Sequence, residues 1–126
     1  MATHAEEHQL LDRALGDVEF HAQRRNFERS QSLFRTFRAS LEQHLDQEEQ
    51  VTFPALDRSG QWTQALATVR AQHVAISAAL KSLAAALDQG DLHGFEAQLG
   101  DFEAKVREHQ ATEERLLPAD HGHAHP

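Results

Sequence analysis

The sequence predicts an all-α protein, an up-down-up-down antiparallel four-helix bundle. Three observations carry this. Apolar residues recur in steps of three and four along four separate segments, the period of a helix with one buried face. Short polar or glycine-containing stretches separate those segments, which suits antiparallel neighbours. Finally, a pattern of histidine and glutamate repeats at a fixed offset that a bundle of this kind would bring to a single level.

The first segment opens at Thr3-x-x-Glu6, a capping box, and its apolar face runs His8, Leu11, Leu15, Val18, Ala22. A polar turn follows at 24–26. The second helix reads Phe34, Phe37, Leu41, His44, Glu48, Val51, with His44 and Glu48 on the apolar stripe itself. Phe53-Pro54 is expected to end it, and Asp57 to Gly60 to form the next turn. The third helix reads Trp62, Leu66, Val69, His73, Ile76, Leu80, Leu83, Leu87, closed by Asp88-Gln89-Gly90 with Gly90 as its C-terminal cap. The fourth reads Phe95, Leu99, Phe102, Val106, His109, Glu113, Leu116 and stops at Pro118; Gly94 and Gly100 weaken its first turns. Residues 1–118 are thus one domain, and 119–126, with His121, His123 and His125, a tail expected to be mobile.

Composition narrows the function. The 126 residues include no cysteine, which excludes disulfides and thiolate-held metals. A formal charge of −8 argues against a nucleic-acid partner. No apolar run is long enough to span a bilayer, and His4, Glu6, Glu7 and His8 stand where a signal peptide needs an apolar region, so a cytoplasmic protein is expected. Ten histidines without a single tyrosine are the anomaly of the composition.

Six of the ligand-type residues repeat. His44-x-x-x-Glu48 returns as His109-x-x-x-Glu113, and His8 returns as His73, each pair 65 positions apart. On a helix, residues four apart share a face, so each His/Glu pair can address one point. In an antiparallel hairpin two residues are level when the turn lies midway between them. The midpoints of His8/His44, His44/His73 and His73/His109 are 26, 58.5 and 91, each at or beside a turn placed from composition. The four histidines therefore form one layer, and Glu48 and Glu113 lie about 6 Å further along their helices. Burying six such groups without partners is costly. Two divalent ions would partner them all, with His8 and His44 on one, His73 and His109 on the other, and Glu48 and Glu113 bridging. Nitrogen and oxygen donors without sulfur suit iron, manganese or zinc. One turn inward, Leu11, Leu41, Ile76 and Val106 obey the same offset and would form a dry layer suited to a small diatomic ligand. Glu49 and Glu114 point round the helix from the site, as rim carboxylates, and His4, His21 and His93 are read as surface residues. Asp12 stands one turn from His8 as a surface charge or an acceptor for an imidazole N–H.

These residues resemble the hemerythrin-like family, also called the HHE cation-binding domain. The resemblance covers about 4 to 118 and rests on Glu7-His8, on His44-x-x-x-Glu48-Glu49 running into Phe53-Pro54, on His73, and on His109-x-x-x-Glu113-Glu114 running into Leu117-Pro118. It implies a four-helix bundle holding two iron ions in an oxo- or hydroxo-bridged, non-haem centre, ahead of manganese or zinc. It also implies a small partner such as O2, NO or peroxide, with iron delivery or repair of iron centres as the alternative. The sequence is compatible with a monomer. Ser77 stands where oxygen carriers of the family have a further histidine, and Glu113 follows its histidine by four residues where theirs follows by five. Both departures argue for a reactive, sensing or exchanging centre over stable reversible oxygen carriage.

Overall fold

Four amphipathic helices account for nearly all of the described residues. The computed structural model describes residues 4–117, with side chains from Glu6 onward. The helices are α1 (His4–Gln23), α2 (Phe27–Gln47) running through a π-helical turn (Glu48–Thr52) into the short α3 (Phe53–Asp57), α4 (Thr63–Asp88) and α5 (Leu92–Leu116). Helical backbone angles continue across both junctions of the π-helical turn, so α2 and α3 act as one long helix. The bundle is closed as a square: α1 packs on α2 and α5, and α4 packs on α5 and α2. Among the described residues no helix is long and apolar enough to cross a membrane. The Thr3 capping box, Pro118 and the tail histidines lie outside the described residues.

The turns form where expected, each by an identifiable device. Asn26 caps α2 by accepting from the Arg29 amide, and Arg25 just before it takes a left-handed φ of 63°. Gly60 and Gly90 both adopt φ of 72°, the conformation that spares glycine the steric cost paid by other residues. Asp91 caps α5 by accepting from Gly94 N at 2.9 Å. A Cβ at 94 would meet that carboxylate in its present rotamer, so a side chain there would require the Asp91 side chain to shift.

Pro54 does not end the second helix. A proline ring normally clashes with the carbonyl four residues back and leaves it without a donor. Here the helix widens just before it: Phe53 N–H bonds Glu48 O, five residues back, and the proline enters the next turn without breaking the rod. The extra residue also shifts the buried stripe by one position. Val51, expected inside, is 56% exposed, while Thr52 and Phe53 take the interior positions. At the end of α4 a smaller shift occurs: Ala86 is buried and Leu87 is only half-buried.

The main core fills the half of the bundle away from the chain ends. Phe34 and Phe37 of α2 meet Phe95 and Phe102 of α5 edge-to-face, at ring distances of 5.3 and 5.9 Å. Leu11, Leu15 and Val18 of α1 and Ile76, Leu80 and Leu83 of α4 pack around them. Ser30, the one polar side chain buried in this half of α2, is satisfied by donating to Val18 O at 2.9 Å. A second, smaller apolar cluster of Phe53, Leu66, Val69 and Leu117 lies at the opposite end, with Leu56 and Trp62 against it.

On the α1–α5 seam, burial and the neighbouring Glu103 carboxylate, hydrogen-bonded to it, push Glu19 up to about 7, against the pull of Arg107. The folded protein therefore holds a proton that the unfolded chain releases, and stability should fall as pH rises from about 4.5 to 7. Glu19→Gln should flatten that part of the profile in urea unfolding at pH 5 and 7.5. Phe37→Ala should cost about 3–5 kcal/mol in the same assay.

Candidate metal centre

Between the two apolar clusters lies one polar layer. His8 comes from α1, His44 from the last turn of α2, Glu48 from the start of the π-helical turn, His73 from α4, and His109 and Glu113 from α5. His8, Glu48, His73, His109 and Glu113 are buried, and the His44 side chain is 9% exposed. The structure brings all six together. The His8 and His44 rings pair at 5.5 Å, and those of His73 and His109 at 4.6 Å.

The Nε2 atoms face inward. His8 Nε2 lies 3.3 Å from Glu113 Oε1, and His109 Nε2 lies 3.4 Å from Glu113 Oε2, so this fully buried carboxylate places one oxygen on each half. Glu48 Oε1 lies 3.5 Å from His44 Nε2, 3.1 Å from His73 Nε2 and 3.8 Å from His109 Nε2. Two groups result whose ligand atoms lie within 4.8 Å of one another: Glu48, His73, His109 and Glu113, and His8, His44 and Glu113. Glu113 belongs to both.

The outward Nδ1 atoms are held by a ring of acceptors that sequence reasoning left out. His44 Nδ1 meets Glu7 Oε2 at 2.9 Å, His73 Nδ1 meets Glu49 Oε1 at 2.9 Å, and His109 Nδ1 meets Gln72 Oε1 at 2.8 Å. His8 Nδ1 is 3.7 Å from Glu114 Oε1, an ion-pair distance. Each acceptor directly adjoins another member of the layer in sequence, and the 65-residue offset relates Glu7 to Gln72 and Glu49 to Glu114. The signal was present in the chain but lay in residues with the look of rim carboxylates. Glu49 and Glu114 are indeed exposed, yet each reaches an imidazole. Asp12 is exposed, and Ser77 is half-buried one turn beyond His73. His21 is half-buried against Phe20, and His93 is exposed.

Apolar layers close the site on both sides. Leu11, Leu41, Ile76 and Val106 lie beneath it, each at most 6% exposed. On the other side the Phe53 ring lies 5.1 Å from that of His73. Arg70 on α4 holds this lid, with its guanidinium 5.6 Å from the Phe53 ring, 3.9 Å from Asp57 and 4.0 Å from Glu49. Two surface clefts reach the imidazoles from the sides. One of about 270 Å³ between α1 and α2 is lined by Glu7, Leu11 and His44, and one of about 410 Å³ between α2 and α4 by Glu49, His73 and Ser77.

Burial pulls the His109 imidazole down, but hydrogen bonds to Glu113 and Glu48 and their charges outweigh it and push the group up to about 9. The geometry agrees. His73 Nε2 and His109 Nε2 are 3.0 Å apart, a contact that two lone pairs cannot make without a proton or another cation between them.

The family model described as Hemerythrin HHE cation binding domain matches residues 2–119. No match among curated proteins or solved structures reaches significance.

Because the folded-state value for His109 is raised from 6.5 to about 9, its contribution to the stability of the metal-free bundle is complete below about 6.5 and is lost as pH rises through 9. Denaturant unfolding of chelator-treated protein at pH 6.5 and 9.5 should show the loss, and Glu48→Gln should shrink it.

Proposed function

The chain belongs to the hemerythrin HHE cation-binding domain family, and on that premise we propose that it is a non-haem di-iron protein whose carboxylate-bridged centre binds, senses or reacts with dioxygen, peroxide or nitric oxide. The observation that carries this reading is Glu113, wholly buried, with one oxygen toward His8 and the other toward His109. A carboxylate so placed is suited to bridge two ions. The donor set fits the metal: imidazole nitrogen and carboxylate oxygen, no sulfur, and Nε2 atoms turned inward.

His8 and His44 would hold one ion and His73 and His109 the other, with Glu48 and Glu113 shared. When bound, iron supplies the electron transfer and open coordination that a small ligand needs. The protein's own contribution is positional. Hydrogen bonds from the outer acceptors hold the His44, His73 and His109 rings with Nε2 toward the centre, and Glu114 faces Nδ1 of His8 at 3.7 Å. The layer of Leu11, Leu41, Ile76 and Val106 and the lid of Phe53 and Leu117 exclude water on either side. The cleft beside His73 and Ser77 would admit a small ligand from the α2–α4 side.

A second reading, iron handling for other proteins, draws on the exposure of Glu49 and Glu114. Both touch site imidazoles from the solvent side and could pass an ion in or out. It predicts rapid loss of iron to an apo-acceptor.

Protein loaded anaerobically with ferrous iron should retain about two irons per chain. Exposure to air should bring up ligand-to-iron charge-transfer bands, and His44→Ala should lower the iron content. Retention of no iron, or of zinc alone with no spectral change, would overturn the proposal.

A further inference from the structure

The four imidazoles are not held alike. Carboxylates face Nδ1 of His8, His44 and His73, whereas His109 faces the neutral amide oxygen of Gln72 at 2.8 Å. The repeat gives the difference its meaning. Glu7 and Gln72 occupy equivalent positions, 65 residues apart, each directly before a site histidine and each reaching the histidine of the next helix. One position of the ring has an amide where the other half has an acid.

The orientation of that amide is locked. Thr112 Oγ–H donates to Glu108 O at 2.8 Å, so towards Gln72 its oxygen offers only lone pairs. Gln72 Nε2 donates to it at 3.0 Å, and the amide oxygen must then face His109. That oxygen can only accept. His109 therefore carries a hydrogen on Nδ1, and Nε2 is the nitrogen turned to the centre.

A carboxylate acceptor raises the basicity of an imidazole ligand more than a neutral amide does. We infer that Gln72 is a positioning residue that locks the His109 ring and gives its Nδ1 a neutral acceptor, a weaker outer partner than the glutamates that meet His44 and His73. The His73 and His109 half of the centre thus holds its ion less tightly than a glutamate at 72 would make it. The two halves are unequal by construction, and part of the difference lies outside the ligands themselves. This inference rests on the metal-binding reading above.

Cobalt(II) is the probe, titrated into metal-free wild type, Gln72→Glu and Thr112→Val, read by its visible spectrum and by competition with a chelator. Wild type should take up two ions. Gln72→Glu should tighten one of them by roughly tenfold and leave the other nearly unchanged, the scale on which outer partners act on metal affinity. Thr112→Val touches no imidazole but releases the amide, and should weaken that same ion. If wild type binds two ions and Gln72→Glu leaves both affinities unchanged, or shifts both equally, the inference is overturned while the metal reading stands. It is overturned in the same way if the variants alter only the melting temperature of the metal-free protein. Wild type that binds no cobalt overturns the metal reading and this inference with it.

Discussion

Six polar groups buried in one layer set the terms for the rest of the bundle. Imidazoles and carboxylates cannot be left in an apolar interior without partners, and each member of this layer has to be oriented as well as compensated. The solution runs through two rings. Nε2 atoms converge on Glu48 and Glu113 in the inner ring, and Nδ1 atoms meet Glu7, Glu49, Gln72 and Glu114 in the outer ring. Every imidazole links two helices or more through its two nitrogens, so the layer also ties the four rods together at one height. His73, for example, joins α4 to two consecutive residues, Glu48 and Glu49, of the π-helical turn.

The apolar structure on either side follows from the same constraint. Close-packed phenylalanines fill the far half, and the four aliphatic residues beneath the layer separate it from them. On the near side the bundle would end too soon to cover the site. The π-helical turn alters that. By inserting one residue and accommodating Pro54, it carries α2 onward into α3 and turns Phe53 inward over His73. Widened turns of this kind are associated with functional positions in helices. Here the turn begins at Glu48 itself, so one local distortion both places a carboxylate and builds the lid.

The repeat supplies the symmetry of the site, and its breaks supply the individuality. The inner six residues, the aliphatic layer and the outer ring all obey the 65-residue offset. Gln72 in place of an acid, the π-helical turn in the first half and the helix stop at Leu117 in the second do not. The outcome is a near-symmetric layer in an asymmetric setting, with four donors grouped around His73 and His109 and three around His8 and His44.

Much of this was legible in the chain alone. Helical periodicity, the turns and the repeat together determined a four-helix bundle with His8, His44, Glu48, His73, His109 and Glu113 at one level, because antiparallel rods of known rise leave little freedom once their turns are located. The tertiary structure decided what depends on side-chain direction and local backbone adjustment. Val51 and Pro54 were misplaced because a π-helical turn shifts the phase of a helix without changing its composition. The outer ring was missed because Glu49 and Glu114 are exposed residues at the wrong angle for the centre, and only the packing of a neighbouring helix brings an Nδ1 atom within their reach. Periodicity encodes which face of a helix is buried; which atom of a buried ring meets which partner is settled only when the helices are packed.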